Sequence, residues 1–194
     1  METQQSNDKT TGHLFAGGGG DTQGAIAAGY NPIWAVEYDK YAAAVFRYRY
    51  PQTRLIQDDI TSLSDDFIRN LTTPDVIIGG SPCPDFSSAG ARAGLAGDRG
   101  QLFFEYIRFL RILQPKYFIF ENVKGILTSN CGYDFQEVLR CFAEVGYVGS
   151  WQLKNASEYV PQNRERVFCV GMLRQYSDQQ PITGQTTSIS GNRA

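Results

Sequence analysis

Short apolar runs alternate with longer stretches of helical periodicity along this chain, and that alternation limits its fold more than any other feature. The runs "HLFA" (His13 to Ala16), "IWAVEY" (Ile33 to Tyr38), "DVIIGG" (Asp75 to Gly80) and "YFIFEN" (Tyr117 to Asn122) are bounded by Gly, Pro or Asn, as buried strands are. In "QLFFEYIRFLRIL", Leu102, Phe103, Tyr106, Phe109, Leu110 and Leu113 recur at helical spacing, and Phe135, Val138, Leu139 and Phe142 repeat the pattern. Strands joined through helices run parallel, with right-handed crossovers and both faces of the sheet covered. The expected class is α/β, a doubly wound and mostly parallel sheet. It ends in an antiparallel strand pair, "GSWQLKN" and "RVFCVGML", around the loop "ASEYVPQNRE".

With 194 residues and 42% hydrophobic content, the chain has material for one sizeable core and shows no second domain. Residues 13–173 are read as that domain, and residues 1–12 and 174–194 as polar, flexible flanks. A formal net charge of −2 argues against binding nucleic acid by general electrostatics, so any such contact must be local. No basic start leads into an apolar run, and no stretch approaches the roughly 18 apolar residues of a membrane span. A cytoplasmic location is expected. The cysteines Cys83, Cys131, Cys141 and Cys169 are scattered beside a single histidine, His13, so zinc spacing is absent and no metal is expected. Cys131, Cys141 and Cys169 are read as reduced thiols that are buried or incidental.

In an open parallel sheet, ligands gather at the carboxyl ends of the strands. The first strand runs into "FAGGGG" (Phe15 to Gly20), where glycines permit a tight turn and close backbone approach to a ligand. A phosphate loop of the GxxxxGK[ST] kind is absent, and on these residues nucleotide binding and a structural turn both stay open. Glu37 in "VEYD" stands about twenty residues on, where a ribose-binding acid is expected. Alternatively, Glu37 and Asp39 cap the helix beginning at "DKYAAAVF", a role that suits Asp39. Asp59 in "QDDI" follows the third strand, placed to meet the base of the same ligand. Together these ends point to an adenosine-like cofactor without a triphosphate.

The fourth strand delivers "GGSPCPDFSSAG" (Gly79 to Gly90). Pro82 and Pro84 stiffen the backbone around Cys83, which suits a thiol that must be exposed, aimed and ionised to attack; the alternative is a turn in which the cysteine is a bystander. Glu121 in "ENV" ends the fifth strand on the same sheet edge, where an acid can hydrogen-bond or protonate a polar substrate. In "PQNRER", Gln162, Arg164 and Arg166 alternate along an extended segment and point to one side. The two arginines can fork onto a carbonyl, carboxylate or phosphate, or form a solvated charge pair with Glu165.

Taken in order, "LFAGGGG", "VEYD", "DDI", "GGSPCPDFS", "RAGLAGDRGQLF", "ENVKGI" and "PQNRER" resemble the motifs of the DNA (cytosine-5) methyltransferase family, from Gly12 to Leu173. The resemblance implies a Rossmann-like fold of the S-adenosylmethionine-dependent methyltransferase type, with that cofactor and with duplex DNA as substrate. It implies that the Cys83 thiolate adds to C6 of cytosine, that C5 then takes the methyl group, and that loss of the C5 proton frees the cysteine. Glu121 would contact N3 and the exocyclic amine, while Arg166 and Arg164 hold the base and the loop. The target base would be flipped out of the duplex. "SSAGARAGLAGDRG" (Ser87 to Gly100) is the loop expected to close behind it. The cofactor residues carried over are Phe15, Gly17, Glu37, Tyr38, Asp59, Ile60, Pro82 and Leu102.

Two departures stand out. The family usually has an acid where His13 stands and glutamine where Pro84 stands, which bears on the cofactor's ammonium contact and on the loop's grip on DNA. A target-recognition region and a last motif that returns to the cofactor both follow "PQNRER" in the family. The expectation is therefore the catalytic part of a split enzyme, with a second polypeptide supplying target recognition and no membrane or metal involved. A non-catalytic or truncated relative that binds cofactor or a partner and regulates it is the competing reading. RNA as the substrate also stays open, because the C5 chemistry is the same.

Overall fold

The structure is a computed structural model and describes residues 9–82 and 100–179. In chain order the elements are β1 (Thr10–Leu14), α1 (Gly20–Ala27), β2 (Asn31–Val36), α2 (Lys40–Arg49), β3 (Arg54–Ile56), α3 (Asp65–Arg69) and β4 (Val76–Gly79). There follow α4 (Gly100–Leu113), β5 (Tyr117–Val123), α5 (Tyr133–Glu144), β6 (Tyr147–Asn155) and β7 (Glu165–Leu173). The strands form one seven-stranded sheet in the order β3-β2-β1-β4-β5-β7-β6. The pairs from β3 through β5 are parallel, and β7 runs antiparallel between β5 and β6. This is the expected doubly wound α/β sheet with its terminal antiparallel pair.

After β3 the chain returns to the other side of β1, so the winding direction reverses between β1 and β4. A crevice at the carboxyl ends is the natural ligand position at such a reversal. The helix stripes supply the core as their spacing indicates. Phe103, Tyr106, Phe118, Phe120 and Phe142 are all buried. Phe142 of α5 stacks on Phe118 of β5 with ring centroids 4.2 Å apart, and meets Phe120 at 5.6 Å, Phe103 at 5.8 Å and Tyr106 at 6.2 Å edge to face. The Tyr106 hydroxyl donates to the carbonyls of Ile77 and Ile119 at 3.2 and 3.0 Å, so this buried polar group ties α4 to β4 and β5.

Strand limits differ from the sequence reading in instructive ways. β1 begins at Thr10, ahead of the expected boundary, because the Asp75 carboxylate accepts from the Thr10 amide at 2.8 Å and its hydroxyl at 2.9 Å. Nothing apolar in "TTG" announces that pairing. Gly12 belongs to the strand because a Cβ there would collide with the Trp34 ring. At the other end, Arg174–Gln179 continues past Leu173 as 3-10 turns: the Arg174 amide donates to Gly146 at 2.9 Å, and Tyr176 packs on the core. β1 and β2 end at Leu14 and Val36, earlier than their apolar runs, so Phe15 and Glu37 lie in the loops above the sheet.

Because Phe142 contacts four aromatic rings, Phe142→Ala should destabilise the fold by about 3–5 kcal/mol, and Phe142→Leu by less. Denaturant unfolding followed by circular dichroism measures both; a loss under about 1 kcal/mol for the alanine variant would show that the aromatic cluster is not the mechanical centre of the core.

Candidate active site

The first wall of the crevice is the loop after β1. Phe15 has φ 56°, and Gly17 and Gly19 have φ 55° and 83°, so the chain coils left-handedly over the sheet. Phe15 pays a conformational cost there that a glycine would not. Its side chain packs on the core. The Ala16 amide donates to Val36 at 3.1 Å, and the Gly19 amide to Ala16 at 2.9 Å. One side of the loop is sealed, since a Cβ on Gly19 would collide with the Tyr50 ring, whose hydroxyl donates to the Gly19 carbonyl at 2.7 Å. A Cβ on Gly17 would meet nothing within 4 Å. The loop therefore presents open backbone at Gly17.

Glu37 braces this loop from β2. Its Oε2 accepts from the Gly17 amide and its Oε1 from the Asp39 amide, both at 2.7 Å, leaving further lone pairs on each oxygen. Asp39 caps α2 by accepting from Tyr41 and Ala42 at 2.9 and 2.8 Å, which divides the two acids as the sequence suggests. Tyr38 between them is 73% exposed. Beyond β3, Asp59 accepts from the Thr61 amide and hydroxyl at 2.9 and 2.8 Å. The Ile60 side chain is only 4% exposed and belongs to the core, so a role for it at a ligand would have to run through its backbone. Pro82 is exposed just past β4, and Leu102 is half-buried in the first turn of α4.

The second wall is built by β4, β5 and β7. A Cβ on Gly79 would collide with the Leu14 carbonyl, and one on Gly80 would lie 2.6 Å from Glu121 Oε2 and 2.7 Å from the Glu121 carbonyl. Only glycine allows this approach, so the Glu121 carboxylate sits against the backbone two residues before Pro82. Arg166 Nε donates to Glu121 Oε1 at 2.7 Å, and Arg166 Nη1 donates to the Glu165 carbonyl at 2.8 Å. Burial pushes the Glu121 carboxyl above its ordinary value, against the pull of the Arg166 and Arg164 charges. Arg164 is exposed just before β7, where its amide donates to Asn155 Oδ1 at 3.1 Å. Glu165 pairs with Lys124 at 2.8 Å rather than with the neighbouring arginines.

Asn155 and Ser81 went unnoticed in the sequence, and His13 was marked only as a departure from the family. Asn155 organises the β6–β7 loop, accepting from Ser157 as well as Arg164 and donating to Asn163. His13 is fully buried, with Nδ1 3.1 Å from Asp21 Oδ2 and Nε2 2.9 Å from the Thr11 hydroxyl. Ser81 Oγ is buried with no hydrogen-bond partner among the described residues. The Asp21 contact of His13 and the Asn163 and Arg164 contacts of Asn155 bridge eight or nine positions, which no local pattern encodes. Cys83 and Pro84, and the expected closing loop up to residue 99, lie outside the described residues. Of the remaining thiols, burial pushes Cys169 up to about 12 and Cys141 up to about 11, which suits neither to nucleophilic work, while Cys131 is exposed.

The family described as C-5 cytosine-specific DNA methylase matches residues 10–192. The chain is 43% identical over 163 residues to the Type II methyltransferase M.NgoPII of Neisseria gonorrhoeae, a match covering 83% of this chain and 47% of that protein. To M.AquIA of Picosynechococcus sp., also a Type II methyltransferase, it is 38% identical over 172 residues, covering 81% of this chain and 69% of that protein. Its fold is similar, with a TM-score of 0.73 and 29% identity, to a crystal structure assigned to a DNA modification methyltransferase encoded within an E. coli prophage. That similarity covers 90% of this chain and 49% of the other. The chain spans about half the length of most of these relatives.

The Glu121 geometry sets a measurable protonation. A carboxyl whose folded pKa is raised makes the fold lose stability as pH rises from the ordinary 4.5 through the raised value, because the folded state holds the proton longer than the unfolded chain. Carbon-13 NMR titration of Glu121 should give a midpoint above 4.5, and Arg166→Gln should raise it further. A wild-type midpoint at or below 4.5, or a downward move in the variant, would contradict the site described.

Proposed function

The chain belongs to the C-5 cytosine-specific DNA methylase family, and from that premise we propose that it carries the catalytic part of a DNA (cytosine-5)-methyltransferase. The observation that supports this best is the Glu121–Arg166 pair packed on Gly80, two residues before Pro82 in the chain. The residues present fit S-adenosylmethionine. Open backbone at Gly17 leaves room for it, Glu37 retains free lone pairs at the ribose position, and the unpartnered Ser81 Oγ is a buried polar atom at the end of β4.

In this reading Phe15 and Gly17 face the cofactor from the first loop, Glu37 accepts its ribose hydroxyls, and Tyr38 lies beside the adenosine. Asp59 and the Ile60 backbone meet the base, while Pro82 and Leu102 close the remaining sides. The bound cofactor supplies a methyl group on a positively charged sulfur. The chain's own residues do the rest.

Cys83 attacks as a thiolate. Its sulfur bonds to C6 of a cytosine flipped out of duplex DNA, and the displaced π electrons make C5 the nucleophile that takes the methyl group. Glu121 holds N3 and the exocyclic amine, and its raised pKa lets it hold or lend a proton as negative charge develops on the ring. Arg166 keeps that carboxyl oriented, and Arg164 adds positive charge nearby. Removal of the C5 proton then restores the ring double bond and breaks the sulfur–C6 bond.

Target recognition is assigned to protein outside these residues, supplied by a second polypeptide. The matched region makes up 69% of M.AquIA and 47% of M.NgoPII.

Transfer of a labelled methyl group from S-adenosylmethionine to duplex DNA, with the chain alone and with the product of the neighbouring reading frame, tests the whole proposal. Activity in the mixture only is expected. Cys83→Ser should abolish it, and Glu121→Gln should slow it roughly hundredfold or more. Full activity of the chain alone would remove the second polypeptide, and transfer to tRNA but not DNA would replace the substrate. Silence in every mixture from a folded chain that binds the cofactor would favour a non-catalytic regulator.

A further inference from the structure

His13 and Asp21 form a pair that the catalytic scheme above leaves without a task. His13 is fully buried on β1, and Asp21 lies in the first turn of α1, directly after the glycine loop, with a side chain 30% exposed. An ionised carboxylate only accepts hydrogen bonds, so at 3.1 Å His13 donates through Nδ1 to Asp21 Oδ2. That tautomer leaves Nε2 to accept the hydroxyl of buried Thr11 at 2.9 Å. The imidazole is thereby fixed at both ends. It holds one oxygen of Asp21 in place while Oδ1 accepts from the Thr22 amide at 2.8 Å. The Thr22 hydroxyl adds a longer contact to Oδ1 at 3.5 Å, so three contacts leave the carboxylate about one of its four acceptor positions.

The position of this carboxylate is informative. Asp21 stands in the first turn of α1, straight after the glycine loop that leaves the carboxyl end of β1. An imidazole on β1 carries no negative charge to offer an ammonium group, whereas the Asp21 carboxylate does. On the reading that the cofactor is S-adenosylmethionine, we propose that Asp21, positioned by His13, is the anionic contact for the ammonium group at the cofactor's amino-acid end. The contact is a charge-assisted hydrogen bond in a site partly withdrawn from water, where such bonds are strong. An acid in the first turn of a helix also favours the helix dipole, but that alone gives no preference among ligands.

Isothermal titration of the full chain with S-adenosylmethionine, S-adenosylhomocysteine and methylthioadenosine separates the possibilities, because the first two carry the ammonium group and the third lacks the amino-acid end. Asp21→Asn should weaken the first two roughly ten- to hundredfold and leave methylthioadenosine unchanged. His13→Asn should move the same affinity ratio in the same direction by a smaller factor, and Asp21→Glu should recover part of it. Thermal melts establish that each variant is folded; should His13→Asn fail to fold, the two Asp21 variants decide alone. If Asp21→Asn lowers the melting temperature yet binds all three ligands as the wild type does, Asp21 is a helix-stabilising residue only and the proposal is overturned. If the wild type binds none of the three, the cofactor reading itself fails and this inference falls with it.

Discussion

The ends of β1, β4 and β5 can share one small volume only because β4 finishes in two residues without side chains. At Gly79 and Gly80 a single added carbon would collide with the Leu14 carbonyl on one side and crowd the Glu121 carboxylate on the other. Close packing tolerates no such intrusion, and the strands would have to separate. With the glycines in place, the reversal of winding between β1 and β4 becomes a narrow crevice. The chain that leaves β4 passes the Glu121 carboxylate at Gly80, two residues before Pro82. Strand geometry thus decides which groups come together at this end of the sheet.

Charge management follows from that packing. Glu121 is drawn partly out of water, which favours its neutral form, and Arg166 is bonded to it at 2.7 Å, which favours the charged one. The balance leaves a carboxyl that holds its proton above the ordinary carboxylate range while bonded to Arg166. Lys124 engages Glu165 and keeps that acid from competing for the arginines. On the opposite wall, Glu37 spends one contact on each oxygen to fix the glycine loop and keeps the rest for a ligand. Acids on the two walls are therefore held differently: Glu37 braces backbone, while Glu121 is bonded to an arginine and partly withdrawn from water.

Much of this was readable in advance where the signal is local. Helix α4 at Gly100–Leu113 and strand β5 at Tyr117–Val123 fall almost where their apolar periodicity places them, because burial of a stripe is decided within the element. The Asp39 cap was legible for the same reason, its partners lying two and three residues away. The start of β1 was not, since Thr10 is held by Asp75, 65 positions later. Nor was the pairing of Glu165, whose partner Lys124 is 41 positions away while two arginines adjoin it. For Ile60 the motif did not reveal the side-chain direction, which is into the core.

The sequence by itself determined the class of sheet, the order of the motifs and the membership of the C-5 cytosine-specific DNA methylase family, because periodicity and motif spacing are written along one dimension. Only the tertiary structure decided which charges meet: Arg166 with Glu121, Lys124 with Glu165, His13 with Asp21. Electrostatic and hydrogen-bonding partners are chosen by distance in space. Those distances exist only after the strands have packed and the glycines have let them close.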